Sequence, residues 1–219
     1  MAAILEALAQ QTNELPAGLN GAYPTRLFTA SEYQTLADVG VLGEDERVEL
    51  IEGRIIQMAA KNVAHAIATS RSNRSFQRLL GDQALVRVQD PILLNDYSEP
   101  EPDIVLVAPP DERYLDHHPM PKDIFLVLEI AETSLAYDRD VKCPLFAQNG
   151  VIQFCLLNLQ TRELEDYRES SRNGYHHKRT YSAEQSFTLV AFPKLSIKVK
   201  DLLPPLPTAR IADGKRRKK

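Results

Sequence analysis

One carboxylate stands inside the most apolar run of the chain. In Ile124-Phe125-Leu126-Val127-Leu128-Glu129-Ile130-Ala131 every other residue suits the buried centre of a sheet. An ionised carboxylate there costs on the order of several kcal/mol unless something compensates it. A metal ion plus a lysine would compensate it; the plainer alternative is a Glu129 half exposed at a sheet edge. A second acid stands at a similar boundary. Asp103 follows Glu101-Pro102 and opens the run Ile104-Val105-Leu106-Val107, which places it at the first residue of a buried strand.

The rest of the chain reads as one domain around these strands. A chain of 219 residues buries about 70% of its unfolded surface, enough for a single core. Residues 1–25 read as a flexible N-terminal segment, 26–203 as the domain and 204–219 as a Pro-rich and basic tail. Met1 to Leu8 suits a short amphipathic helix. Thr29 and Glu32 form a capping box ahead of a helix through Ala37. Gly53 divides Glu49-Leu50-Ile51 from Arg54 to Met58, a hairpin pattern. A long helix is expected from about Asn62 to Leu80, ended by Gly81, then strands at Ala84–Val88 and Pro91–Leu94. A helix around Asp138–Gln148 precedes the apolar strand Val151–Leu157, and short strands from Glu163 to Val199 suggest a meander. The fold class expected is α/β, a central mixed β-sheet flanked by helices with additional C-terminal strands.

Charge and cysteine content exclude several classes. The net charge of -4 understates the acidity of the body, because Gly214 to Lys219 is almost wholly basic. Two cysteines, Cys143 and Cys155, are too few for a disulfide framework or a structural zinc site. No run approaches the ~20 apolar residues of a membrane span. Met1 to Leu8 lacks the charge and cleavage pattern of a leader, and a cytoplasmic location is expected.

Strand geometry decides where a lysine can come from. Residues i and i+2 share a face, so Glu129 is accompanied by Ala131 and not by a second charge. A lysine from the following helix can fill the space alanine leaves, and Lys142 is the nearest candidate. Pro144 removes a backbone hydrogen bond beyond the first helical turn, so the helix is expected to start late, with Lys142 in its first turn.

Taken in order, Arg47-Val-Glu49-Leu-Ile-Glu-Gly53, His65, Glu101-Pro-Asp103-Ile, Leu-Val-Leu-Glu129-Ile and Tyr137-Asp-Arg-Asp-Val-Lys142 resemble the Uma-two family of restriction-endonuclease-like proteins. That family belongs to the PD-(D/E)XK nuclease superfamily, in its variant with a displaced lysine. The resemblance spans roughly Arg26 to Leu203. It implies a metal-dependent endonuclease acting on DNA. Asp103 and Glu129 would hold Mg²⁺ or Mn²⁺ with the backbone carbonyl of Ile130. Lys142 would orient the attacking water and stabilise phosphorane charge, and Glu49 would complete the acidic rim. It also implies a symmetric homodimer, with Val151–Leu157 and the late strands as interfaces. The chain departs from the family at Gly150-Val-Ile-Gln-Phe-Cys155, at Phe146 and at Glu132, none of them a proposed ligand.

Other polar residues carry plainer readings. Glu49 lies among Glu44, Asp45, Glu46 and Glu52, a run that equally suits a solvated face. His65 reads as a packed or capping histidine, and Asp138-Arg139 as a local surface pair. His176 and His177 must face opposite sides of a strand. A catalytically inactive protein of the same fold that binds DNA or a protein, and a hydrolase of smaller phosphoesters, remain open alternatives. Mutual repulsion between Asp103 and Glu129 predicts that Asp103→Asn leaves the metal-free fold unchanged or slightly stabilised.

Overall fold

The computed structural model describes residues 25–43 and 45–206. The helix expected at Met1 to Leu8, the linker before Pro24 and the basic tail lie outside the described residues.

The apolar runs pair into a six-stranded mixed sheet, so the expected α/β architecture is observed. Its strands are β3 (Leu85–Val88), β4 (Ile104–Val107), β5 (Ile124–Ala131), β6 (Gln153–Asn158), β7 (Glu163–Ser171) and β8 (Gly174–Ser182), adjacent in that order. Only β5 and β6 run parallel within it. A parallel pair needs a crossover connection, and here it is the helical segment that supplies Lys142. Side chains of β5 alternate as the pleat requires. Leu126, Leu128 and Ile130 pack beneath the long helix α2 (Val63–Leu80), with its Ala68, Phe76 and Leu80. Val127 and Ala131 pack on the other face with Cys143, Leu145 and Phe146. Glu129 shares that second face.

Local sequence accounts for the flanking elements. Thr29 caps α1 (Ala30–Asp38), its hydroxyl accepting from the Glu32 N–H while the Glu32 carboxylate accepts from the Thr29 N–H, so the capping box forms. Asn62 caps α2 by accepting from the His65 N–H at 2.9 Å, and Gly81 ends it at φ 52°. Strands β1 (Val48–Ile51) and β2 (Arg54–Gln57) form a hairpin. Its turn residues Glu52 and Gly53 both have positive φ, the conformation that matches strand twist. A side chain at Gly53 would meet the Leu27 Cβ at 2.5 Å, so only glycine fits this close approach.

Two expectations are corrected. Pro91–Leu94 forms no strand. Ile92 and Leu94 donate to the carbonyls of Pro100 and Ser98 on one segment, and Leu93 to that of Pro119 on another; Pro100 has no N–H to return a bond, and no continuous ladder results. The late strands are likewise not one meander. β7 and β8 extend the central sheet, whereas β9 (Ser186–Thr188) pairs only with β10 (Ser196–Lys198), ahead of the short α5 (Val199–Leu202).

The interface expected at Val151–Leu157 is also corrected. β6 lies between β5 and β7 and is buried throughout, so it cannot receive a second copy. The open edge at the other end, β8, exposes His176, His177, Lys178 and Arg179, a charge pattern that discourages edge-to-edge pairing.

Between β5 and β6 the helix is continuous but not uniform. α3 (Leu135–Tyr137) runs into a wider π turn (Asp138–Lys142) and then α4 (Cys143–Gln148). The Cys143 N–H bonds the Asp138 carbonyl, five residues back. Pro144 has no N–H to offer and would crowd the carbonyl four residues earlier; the wider turn coincides with that strain. Lys142 therefore stands at the end of the π turn, immediately before α4, rather than in the first turn of a late-starting helix.

Candidate active site

Strand register brings the two acids of the apolar runs face to face. Ile104 pairs with Leu128 in the antiparallel β4–β5 ladder, so Asp103, one residue earlier, stands opposite Glu129. The Asp103 N–H donates to Glu129 Oε2 at 3.3 Å, and the Ile130 N–H donates to Asp103 Oδ2 at 2.9 Å. Lys142 arrives from the crossover helix. Its Nζ lies 2.9 Å from Glu129 Oε1 and 3.0 Å from Glu49 Oε2, and all three residues are buried.

Glu49 is thus no member of a solvated face. Glu46 and Glu52 are exposed as its charge run suggested, but β1 turns Glu49 inward, where it also accepts from the Glu101 N–H and the Tyr137 hydroxyl. Glu49, Asp103, Glu129, Ile130 and Lys142 line one cavity of about 230 Å³. The residues that sequence reasoning singled out are gathered in one place.

Two further residues belong there that the sequence reading named without giving them a place in the site. His65 is more than a capping position, since its Nε2 lies 3.0 Å from Asp103 Oδ2; its place among the ordered motifs was the available sign. Asp138 is buried, accepts from the Ser134 hydroxyl at 2.5 Å and lines the cavity. It does not pair with Arg139.

Arg139 points instead to β7, where its Nε and Nη2 reach the two Glu165 oxygens at 3.2 and 2.7 Å. The Tyr167 hydroxyl, at 2.5 Å, and Lys178 Nζ, at 3.0 Å, also approach that carboxylate. The clamp ties the π turn, and so Lys142, to the sheet. Burial works against the Glu165 charge, but these donors outweigh it and hold its pKa at about 2. A carboxylate depressed in the folded state contributes stability in full above its unfolded value and loses it as pH falls toward the folded one. Glu165→Gln is therefore expected to lower the melting temperature by roughly 4–8 °C at pH 7, for charge-assisted bonds of about 2 kcal/mol. Near pH 2 the two proteins should melt alike, and melting curves across that range check it.

Burial pulls the site's acids apart. It pushes Glu129 and Asp138 above the usual carboxylate range, Glu129 well above. Asp103 feels the same burial, but hydrogen bonds from His65, Ile130 and Gln89 hold it below that range. Burial also opposes the Lys142 charge, yet Glu129, Glu49 and Asp138 outweigh it and keep the ammonium well above its ordinary value. The Asp103 hydrogen bonds favour its anion, while burial disfavours the charge on Glu129. Environments that separate neighbouring carboxylates in this way are typical of reactive sites.

The donor set suits a hard cation. Four buried carboxylates, Glu49, Asp103, Glu129 and Asp138, surround one buried lysine, leaving negative charge that a divalent ion would neutralise. Among the described residues no three His, Cys, Asp or Glu side chains converge on one point as a metal cage. Carboxylate oxygens are the donors that hard cations such as Mg²⁺ or Mn²⁺ take, through one or two ligands with water completing the shell. Cys143 and Cys155 are buried in the apolar clusters, and His177 pairs with Glu169 on an exposed strand end.

Comparison with known proteins agrees with this architecture. A family model described as "Uma2: Putative restriction endonuclease" matches residues 30–200. Among solved structures, the chain is similar to a "putative nuclease belonging to DUF820 from Anabaena variabilis ATCC 29413", with a TM-score of 0.63 and 16% sequence identity, over 80% of this chain and 97% of that one. At that identity the likeness shows the fold. No curated protein matches the chain.

Proposed function

This chain belongs to the Uma2 family of restriction-endonuclease-like proteins, and from that premise we propose that it hydrolyses phosphodiester bonds in DNA with the help of a divalent cation. One observation carries the reading: Asp103, Glu129, Glu49 and Lys142, contributed by separate segments, meet in one cavity with a single buried ammonium among four buried acids. An inert core gains nothing from assembling such a group, since a buried ion cluster is no more stabilising than apolar packing.

Asp103 and Glu129, with the Ile130 carbonyl, would hold Mg²⁺ or Mn²⁺. When bound, such an ion polarises a phosphodiester and lowers the pKa of coordinated water. The chain's own groups divide the remaining work. An ammonium has three N–H donors, and Lys142 gives one to Glu129 and one to Glu49. The third is available to an attacking water or a non-bridging phosphate oxygen, where its charge meets the charge that develops on phosphorus. His65, Gln89 and the Ile130 N–H fix the Asp103 carboxylate, as outer partners of a ligand do. Tyr137 and the Glu101 N–H fix Glu49 in the same way.

Supercoiled plasmid incubated with the purified chain and Mn²⁺ should be nicked and then linearised, and chelator should stop the reaction. Binding without cleavage under any divalent cation would instead favour an inactive nuclease-fold protein that recognises DNA. Release of phosphate from small monoesters, with plasmid left intact, would move the substrate class to smaller phosphoesters.

A further inference from the structure

The cavity is acidic, and a DNA strand approaching it would meet more carboxylates than cations. Glu49, Glu101, Asp103, Glu129 and Asp138 face Lys142, Lys61 and Arg47 there. Attraction for a polyanion has to come from elsewhere on the molecule.

α2 supplies it on the flank turned away from the sheet. Ala68, Ser72, Phe76 and Leu80 form its buried face, so Arg71, Arg74 and Arg78, three and four residues apart, align on another face. The β9–β10 hairpin lies alongside and encloses a groove of about 530 Å³. Arg71, Arg74, Arg78 and Lys198 line it, with Asp201 as its acid. Arg74, Arg78 and Lys198 are exposed, and none of the ion pairs among the described residues includes them. Arg71 Nη2 donates to the Lys200 carbonyl at 3.2 Å and the Ser75 hydroxyl to that of Asp201 at 3.2 Å, which fixes the two walls together. Arg71 Nε is buried with no hydrogen-bond partner among the described residues.

The geometry points to this groove as a docking surface for the phosphate backbone of DNA flanking the segment held in the cavity. Arg71 to Arg78 covers about 10 Å of helix, a length over which one strand of a duplex presents about three phosphates. Arg71 follows His65 by six residues, about 9 Å of rise and roughly 240° of turn, so a polymer that reaches both places passes around the helix. Phosphate contacts of this kind position a duplex without reading its sequence. DNA is chosen over other polyanions on the strength of the nuclease reading, while binding itself is measured without cleavage.

The triple substitution Arg74→Ala, Arg78→Ala, Lys198→Ala removes the three exposed cations and touches no cavity residue. Fluorescence anisotropy of a labelled duplex is followed in chelator over a range of salt, with the full chain, and thermal melting confirms that the variant is folded. The slope of log affinity against log salt is expected to shrink by nearly three, with affinity at low salt down ~10-fold or more. Hydrolysis of bis(4-nitrophenyl) phosphate with Mn²⁺ should be unchanged. An unaltered slope and affinity overturns the groove assignment, as does wild-type binding to phosphatidylserine vesicles but not to duplex. If no variant hydrolyses the small diester, the nuclease reading fails, and the salt slope still decides the groove.

Discussion

Met in place of Lys142 is expected to damage both stability and catalysis, the largest combined effect of any single change in this chain. Lys142 is 3% exposed, and its ammonium lies between Glu129 and Glu49. Removing one partner of a buried ion pair costs about 3–5 kcal/mol, because the other charge is left uncompensated. For a domain of this size the melting temperature should fall by roughly 6–20 °C. Glu129, already pushed above the carboxylate range by burial, will hold its proton in the folded variant and release it on unfolding. Between the unfolded value and the raised one the folded state binds more protons, so stability falls as pH rises and is greatest in acid. Adding Glu129→Gln should restore part of the loss. Assayed with Mn²⁺ well below its melting temperature, the single variant should still bind metal yet cleave plasmid ~10²–10³-fold more slowly. A Lys142→Met protein that melts like wild type at pH 8 and nicks at the wild-type rate would remove the lysine from both roles.

Asp103→Asn should abolish Mn²⁺-dependent cleavage and weaken metal binding, read as loss of the Mn²⁺-induced rise in melting temperature. The metal-free protein gives a second readout, and here the structure reverses the expectation drawn from sequence. Repulsion from Glu129 had implied a neutral or stabilising change. Instead Asp103 accepts from His65, Gln89 and the Ile130 N–H, and its pKa is lowered in the fold despite burial. A depressed carboxylate contributes stability above its unfolded value. Neutralising it should therefore cost about 1–3 kcal/mol near neutral pH, with the difference closing as pH falls below the ordinary aspartate range. Wild-type cleavage by Asp103→Asn would place the active centre elsewhere.

The legible parts of this site are those whose surroundings are local in sequence. Glu129 and Asp103 announce themselves because apolar neighbours on the same strand fix their burial, and the ladder then sets them opposite each other. Glu49 was ambiguous for the converse reason. Its neighbours Glu46 and Glu52 are exposed, and only the bridge from Leu50 to Glu99 and the reach of Lys142 turn it inward. His65 depends on a partner in another segment, which no local pattern encodes. Asp138 was masked by Arg139 beside it, whose true partner lies on β7. Ile92 and Leu94 are buried as a strand would be, but neither Pro91 nor Pro100, whose carbonyl Ile92 meets, has an N–H to give, and no ladder forms. Patterning predicts burial well here and predicts long-range partners poorly.

The π turn that carries Lys142 separates two tasks that a regular helix would bind together. In an α-helix every residue fixes the angular position of all those after it, so moving one functional side chain rotates the whole packed face. Here the surplus residue is absorbed between Asp138 and Lys142, and Leu145 and Phe146 keep their seats against the sheet. The cation's position and the helix's packing can therefore drift independently under mutation.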